Sequence, residues 1–328
     1  LTGANADKRL IAKPSNVVFA LLNLYKEITG NSVASSVTPI DGEIKKLAKA
    51  LKKAGSKGVV MTGINDVNAQ LISLAINKAL NSKVLDTNNS LNIRQGNSAQ
   101  VQSAVSDMKS GKVAGLFTVN IDPSYSLPNA AEFKDALSKV DLKVALSVEN
   151  NETVDAMEYA LPAPHFLESW GDTQFSEGNF GLVQPTIQPL FKTRQIQDSL
   201  LKWSGSTVTY FDFLKDFWST EVLAGSSWNK ALHNGYFKKG TSISLNSNEV
   251  AMDAVASQLK KSTTASAMEL NLYVKTGLGD GKQANNPWLQ EFPDPITRTS
   301  WDNYLTMSIA DARDLGFSNP VKDNGAIN

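Results

Sequence analysis

His165, Glu168 and Asp172 follow one another at spacings of three and four residues, which sets them one helical turn apart if the segment is helical. A general acid/base group or a metal site would need this kind of spacing. The second histidine, His233, lies far along the chain in a predicted helix, so three-ligand metal geometry would need carboxylates from elsewhere. The reading these residues favour by themselves is a hydrogen-bonded loop that locks two lobes together. Asn120-Ile-Asp122-Pro123 comes just after a predicted strand end, where open α/β sheets place ligands. Its structural alternative is a loop in which Asp122 accepts backbone hydrogen bonds. Lys13-Pro-Ser-Asn16 precedes a predicted helix whose free N–H groups suit a phosphate, yet none of these four residues is glycine. An ordinary cap, with Ser15 at the N-cap, is the simpler expectation. Thr62-Gly-Ile-Asn-Asp66 has one glycine, far short of a dinucleotide fingerprint. Glu152-Thr153 reads as a helix start in which Thr153 caps and Glu152 sits near the positive end. No Gly-x-Ser-x-Gly elbow occurs, so hydrolase chemistry is not expected.

The elements that must hold these residues follow from periodicity. Apolar residues recur at helical spacing from Asn16 to Ile28, and Asp41 to Lys53 sets Ile44, Leu47, Ala48 and Leu51 against a lysine face. Gly58 to Gly63 reads as a buried strand, Val67 to Leu80 as a helix, and Val84-Leu85 as a continuation of the sheet. Asp86 to Ser90 is polar and turn-rich and marks a lobe boundary. Helices near Ala99 to Lys109 and Ala130 to Lys139 alternate with strands Val113 to Val119 and Leu142 to Val148, which predicts crossover units in a parallel sheet. Beyond Pro189 helices are expected over Gln195 to Trp203, Phe211 to Leu223 and Trp228 to Tyr236. Phe211, Leu214, Phe217, Trp218 and Leu223 make an aromatic-rich stripe of core type. Ala265 to Val274 and Trp301 to Met307 read as strands, and Ser308 caps a short helix ended by Gly316. Asn285 to Pro295, with two large aromatics and three prolines, excludes regular helix and central strand and suits packing along a surface, first of all the chain's own lobes.

At 328 residues, about two or three domains are expected. The 32 basic residues balance the 32 acidic ones, so no overall field draws the chain to nucleic acid or an anionic membrane, and a partner must be recognised by a local surface. With no cysteine, these residues hold no disulfide, thiolate zinc site, cysteine-ligated iron–sulfur cluster or cysteine nucleophile. No apolar run reaches the ~18 residues a spanning helix requires, and no signal peptide is visible. The start at Leu1 and the end at Gly325-Ala-Ile-Asn328 read as those of a piece of something longer.

Several segments taken in order carry a resemblance. Strand Lys112 to Val119 runs into Asn120-Ile-Asp-Pro123, and strand Leu142 to Val148 into Glu149-Asn-Asn-Glu-Thr153. Tyr159-Ala-Leu-Pro162 and His165-Phe-Leu-Glu-Ser-Trp-Gly-Asp172 follow. This order resembles the molybdopterin oxidoreductase superfamily. The His165 to Asp172 string, Gln184-Pro-x-Ile-x-Pro189 and Phe191-Lys-Thr-Arg194 look most like one branch, the molybdopterin-oxidoreductase-like B subunit of alternative complex III. Leu1 to Arg9 and Asn285 to Pro295 resemble the same branch; the match is weakest between Gly205 and Lys282.

The resemblance implies an α/β fold of two Rossmann-like lobes, with parallel or mixed sheets flanked by helices, followed by the start of a C-terminal β-barrel domain. The corresponding divisions are 1–88, 89–282 with a helical extension, and 283–328. It further implies a non-catalytic scaffold in a quinol-oxidising respiratory complex, on the periplasmic side of the inner membrane and attached through partner subunits, with no nucleic acid bound and no direct membrane insertion. No cofactor is expected in these residues, and iron–sulfur clusters are expected elsewhere in the full-length chain. A second reading is the central fragment of an active molybdopterin enzyme, in which Asn120, Asp122, Glu168 and Gly171 would line a cleft for molybdopterin guanine dinucleotide. A third is a two-lobed small-molecule binding protein. Where cofactor-binding relatives usually have Gly-x-Asn-Pro, this chain has Asn120 at the glycine and Asp122 at the asparagine, and a carboxylate beside a diphosphate is unfavourable.

Overall fold

The computed structural model describes residues 2–86, 89, 91–93, 96–240 and 250–317. Most of the Asp86 to Ser90 boundary, and the end at Gly325 to Asn328, lie outside the described residues. The chain forms two compact units: one takes the residues up to Ile121 and Asp135–Asn271, the other Asp122–Lys134 and the chain from Leu272 onward. Among the described residues the fold is α/β, with a parallel three-stranded sheet and an antiparallel three-stranded sheet flanked by helices, and no closed barrel.

Helices α1 (Pro14–Thr29), α2 (Asp41–Ala54) and α3 (Val67–Ala79) open the first unit. Pro14 occupies the first turn of α1, where its missing N–H costs nothing, and Gly30 ends the helix at φ 78 with its N–H on the carbonyl of Lys26. α2 carries Asp41 and Glu43 in its first turn and Lys52 and Lys53 in its last, the order the helix dipole favours. Val18, Leu21, Leu22, Tyr25 and Ile28 of α1 bury against Ile44 and Ala48 of α2, and against Ala69, Ile72 and Ile76 of α3. Val255, Ala256 and Leu259 of a later helix close the same core.

After α4 (Ser98–Lys109), strand β1 (Gly115–Val119) leads through α5 (Pro123–Ser126) and α6 (Ala130–Leu137) to β2 (Leu142–Ser147), and α7 (Glu152–Asp155) leads to β3 (Tyr159–Pro162). β1 pairs with β2 from Gly115 opposite Leu142 to Val119 opposite Leu146, and β2 pairs with β3, both in parallel. The predicted crossover is therefore present. β3 was not foreseen: its Pro162 suits an edge strand, where one donor can be missing.

A hairpin of β4 (Gly171–Ser176) and β5 (Asn179–Val183) turns at Gly178, φ 70, and β6 (Tyr236–Lys238) pairs with β5. Against it pack α8 (Ile196–Trp203), α9 (Tyr210–Phe217), a π-type turn at Trp218–Val222 and α10 (Trp228–Asn234), around a core of Leu182, Leu214, Trp218, Val222 and Leu223. Leu214, Trp218 and Leu223 of the predicted stripe are core, as expected. The fully buried Trp218 donates its indole N–H to Asp172 at 2.8 Å. The first unit closes with α11 (Met252–Ser262); the second contains α12 (Pro287–Glu291) and α13 (Ile309–Asp314).

Several expected strands are not formed. Gly58 to Gly63 forms no strand among the described residues, and side chains of α3 satisfy the backbone of Val60 at its centre. Val60 donates to Asn77 Oδ1 at 2.8 Å and accepts from Asn77 Nδ2 at 2.7 Å and Ser73 Oγ at 2.9 Å. Val84-Leu85, Ala265 to Val274 and Trp301 to Met307 likewise lack a neighbouring strand among the described residues. In the last of these, Trp301 sits at φ 61, outside the β region. Within Asn285 to Pro295 a helix does form, since Pro287 stands at its first position and Asn286 caps it, and Trp288 is 81% exposed instead of packed. Asn151, not Thr153, caps α7, accepting from Val154 N–H, while Thr153 is buried. α13 is as expected, with Ser308 accepting from Asp311 N–H.

Truncating Trp218 to Ala should cost about 3–5 kcal/mol in denaturant unfolding, as expected for a fully buried aromatic. Asp172→Ala leaves the buried indole N–H unpaired and should cost about 1–3 kcal/mol, whereas Asp172→Asn, which still offers an oxygen, should cost less. Equal costs for the two Asp172 variants would show that the hydrogen bond contributes nothing.

Candidate functional site

The carboxyl ends of the three parallel strands carry the loops singled out in the sequence. Asn120 directly follows β1 at φ 51, a left-handed backbone that asparagine tolerates better than other side chains. Its N–H reaches Leu146 O at 2.9 Å, and its Oδ1 accepts from Val148 N–H at 3.0 Å, just beyond β2. The Asn120 side chain thus ties two strand ends together. Asp122 belongs to the second unit. It precedes α5 without capping it through its side chain; its carbonyl accepts from Ser126 N–H at 2.9 Å and Ser126 Oγ at 2.7 Å.

His165 follows β3 and begins a 3-10 turn, Phe166–Glu168, in a reciprocal cap. Its Nδ1 accepts from Leu167 N–H at 3.3 Å, and Glu168 Oε2 accepts from His165 N–H at 3.1 Å. The other carboxylate oxygen of Glu168 accepts from Leu190 N–H at 3.1 Å, and Leu167 O accepts from Thr186 N–H at 2.8 Å. One oxygen of Glu168 therefore closes its own turn and the other reaches Leu190, while the Leu167 carbonyl joins the turn to Thr186 of the Gln184 to Pro189 segment. Gln195 adds a second staple, donating to Trp170 O at 2.8 Å. Gly171 opens β4 opposite Val183; a methyl group there would meet Val183 at 3.7 Å, an ordinary contact, so nothing in its geometry demands glycine. Asp172 turns to Trp218 instead of joining His165 and Glu168. No group of three His, Cys, Asp or Glu that could hold a metal occurs among the described residues. Around Asp172, burial first, then the charges of Asp172 and Asp198, push the Tyr210 phenol above its ordinary range.

The two helix starts considered for phosphate each receive a carboxylate of the chain. Ser15 is not the N-cap of α1 but lies inside the first turn, and Lys13 holds the cap position without capping the helix through its side chain. Ser15 N–H donates to Glu269 Oε2 at 2.8 Å and Ser15 Oγ to Glu269 Oε1 at 2.6 Å. Lys13 Nζ in turn donates to the carbonyls of Ser266 at 3.1 Å and Ala267 at 2.8 Å. These bonds lower the Glu269 carboxyl from its ordinary value, the Ser15 hydroxyl contributing most and the Ser15 N–H next. At α3, Asp66 Oδ1 accepts from Asn68 N–H at 2.7 Å and Ala69 N–H at 3.4 Å. The sequence reading missed Glu269 because no local pattern links residues 254 positions apart.

The residues present do not fit a pterin diphosphate at these points. Glu269 and Asp66 would set a negative charge against it, and the Asn120 side chain is already bonded.

No family model matches the chain. It is 24% identical over 226 residues to the menaquinone reductase, molybdopterin-binding-like subunit, of Nitratidesulfovibrio vulgaris, a match covering 66% of this chain and 32% of that protein. The chain thus spans about a third of the length of the curated relative it matches. With the parallel sheet and its loops in place, that similarity gives this chain a molybdopterin-oxidoreductase-like relative.

Proposed function

We propose that these residues form a non-catalytic, molybdopterin-oxidoreductase-like scaffold within a respiratory quinol-oxidising electron-transfer complex of the alternative complex III type. The observation that carries the reading is the Glu269 carboxylate on the first turn of α1, with Asp66 doing the same at α3. Free N–H groups at a helix start attract phosphate. Here a carboxylate already supplies the acceptor, and its charge repels a second anion. Both oxygens of Glu168 are committed, one to capping its own turn and one to Leu190, a positioning role and not a chemical one. The similarity to a menaquinone reductase subunit supports the quinone-linked setting.

In this reading the lobes are 1–88 and 89–282, Rossmann-like, with 283–328 starting a β-barrel domain. Partner subunits attach the protein to the periplasmic side of the inner membrane, and iron–sulfur clusters elsewhere in the full-length chain carry the electrons. No helix among the described residues is long and apolar enough to cross a membrane, which agrees with attachment through partners.

The full-length protein, purified in its complex, should contain far less than one molybdenum per chain by elemental analysis, and no pterin fluorescence after acid oxidation. Stoichiometric molybdenum with pterin would establish the active enzyme instead.

The Glu269 contact should also be visible in the pH dependence of stability. Its native pKa is depressed, so its contribution is fully present above the ordinary glutamate value of about 4.3 and is lost as pH falls through the lower native value. Denaturation from neutral to acid pH should show a component in the wild type that is missing in Glu269→Gln. Superimposable profiles would remove the contact from the account.

A further inference from the structure

Although the chain is electrically balanced overall, the segment from 41 to 57 holds six lysines, Lys45, Lys46, Lys49, Lys52, Lys53 and Lys57, against two carboxylates, Asp41 and Glu43. At 100° per residue, five of the lysines fall within an arc of about 120° on α2. The opposite face fixes the helix: Ile44 and Ala48 are buried in the core with α1 and α3. All six lysines are exposed. Both carboxylates are already engaged. Asp41 accepts from Thr38 N–H at 3.0 Å, Thr38 Oγ1 at 2.6 Å and Asn23 Nδ2 at 3.0 Å. Glu43 pairs with Lys8, and with Lys46 at 2.9 Å. Lys49, Lys52, Lys53 and Lys57 form no ion pair with any described residue.

We propose that this lysine face is an electrostatic docking surface for an anionic phospholipid bilayer. Protein partners select a different chemistry: their interfaces are enriched in arginine and aromatic residues and depleted in lysine. α2 has neither arginine nor an aromatic residue. Lysine supplies a compact, hydrated point charge on a flexible stem, without the planar fork that reads one carboxylate or phosphate group. A row of such charges along one face of a helix anchored in the core matches a diffuse layer of headgroup phosphates. The surface gives peripheral adhesion without insertion, and it stands on the charge distribution alone, independent of any quinone-linked role.

The test is sedimentation of the full chain with vesicles of phosphatidylglycerol and phosphatidylcholine in equal parts, and with phosphatidylcholine alone. Binding is expected only to the anionic vesicles and should vanish in ~1 M salt, where screening acts within about 3 Å. Each lysine near such a surface is worth roughly a fivefold change in partitioning. The variant Lys45→Gln/Lys49→Gln/Lys52→Gln/Lys53→Gln should therefore partition at least about 100-fold less, with an unchanged circular dichroism spectrum. A control, Lys202→Gln/Lys215→Gln/Lys230→Gln/Lys261→Gln, removes equal charge elsewhere and should retain binding. The proposal is overturned if wild type ignores anionic vesicles, or if the two quadruple variants lose binding equally.

Discussion

A helix presents unpaired N–H groups and a partial positive charge at its amino end, and whatever satisfies them determines what else that end can hold. In α1 the acceptor is Glu269, delivered from a segment that follows α11, and the bond is reciprocated by Lys13 reaching that segment's carbonyls. This exchange of a carboxylate for an ammonium ties the first helix to the end of the same unit. It requires no sheet: the segment bends at Ala267 and Met268, and its path is set by the side chains of Lys13 and Glu269. α3 is closed more locally, by Asp66 from the residue before it, and its own Asn77 and Ser73 then occupy the backbone of Val60.

The parallel sheet follows a similar economy at its carboxyl edge. Such edges are ordinarily where an α/β protein receives ligand, because loops there are free of the ladder. Asn120 spends its side chain on Val148, and the turn after β3 is closed by His165 and Glu168 against the segment around Leu190. Each loop is thereby bonded to another loop. The result is a surface whose polar groups serve to hold its shape.

How much of this was legible in the sequence depended on the range of the interaction involved. α2, α3 and α4 could be placed because their apolar spacing is local, and α13 because its Ser308 cap and Gly316 stop are local. β1 and β2 could be placed because an apolar run followed by a helix forces a crossover. The run from Gly58 to Gly63 has the composition of a buried strand, and composition alone cannot say whether a neighbour exists to pair with it. Side chains of α3 took that place. The β4–β5–β6 sheet escaped notice because glycine and polar residues interrupt its alternation, and its third strand is only three residues long. Among the site residues, the Asn120 substitution and the capping pattern of Glu168 could be read locally. Glu269 and the Asp172–Trp218 bond join residues far apart in sequence, and nothing in either segment announces its partner.

The departure at Asn120 links the local and the functional arguments. A glycine after β1 would meet the positive φ without strain and leave space above the strand end. Asparagine meets the same backbone requirement nearly as well, so the substitution keeps the fold while placing an amide where the space would be. Because that amide accepts from Val148, removing it would expose a strand-end donor as well as reopen the space. The left-handed backbone after β1 is thereby combined with a side chain that bonds the loop to the end of β2.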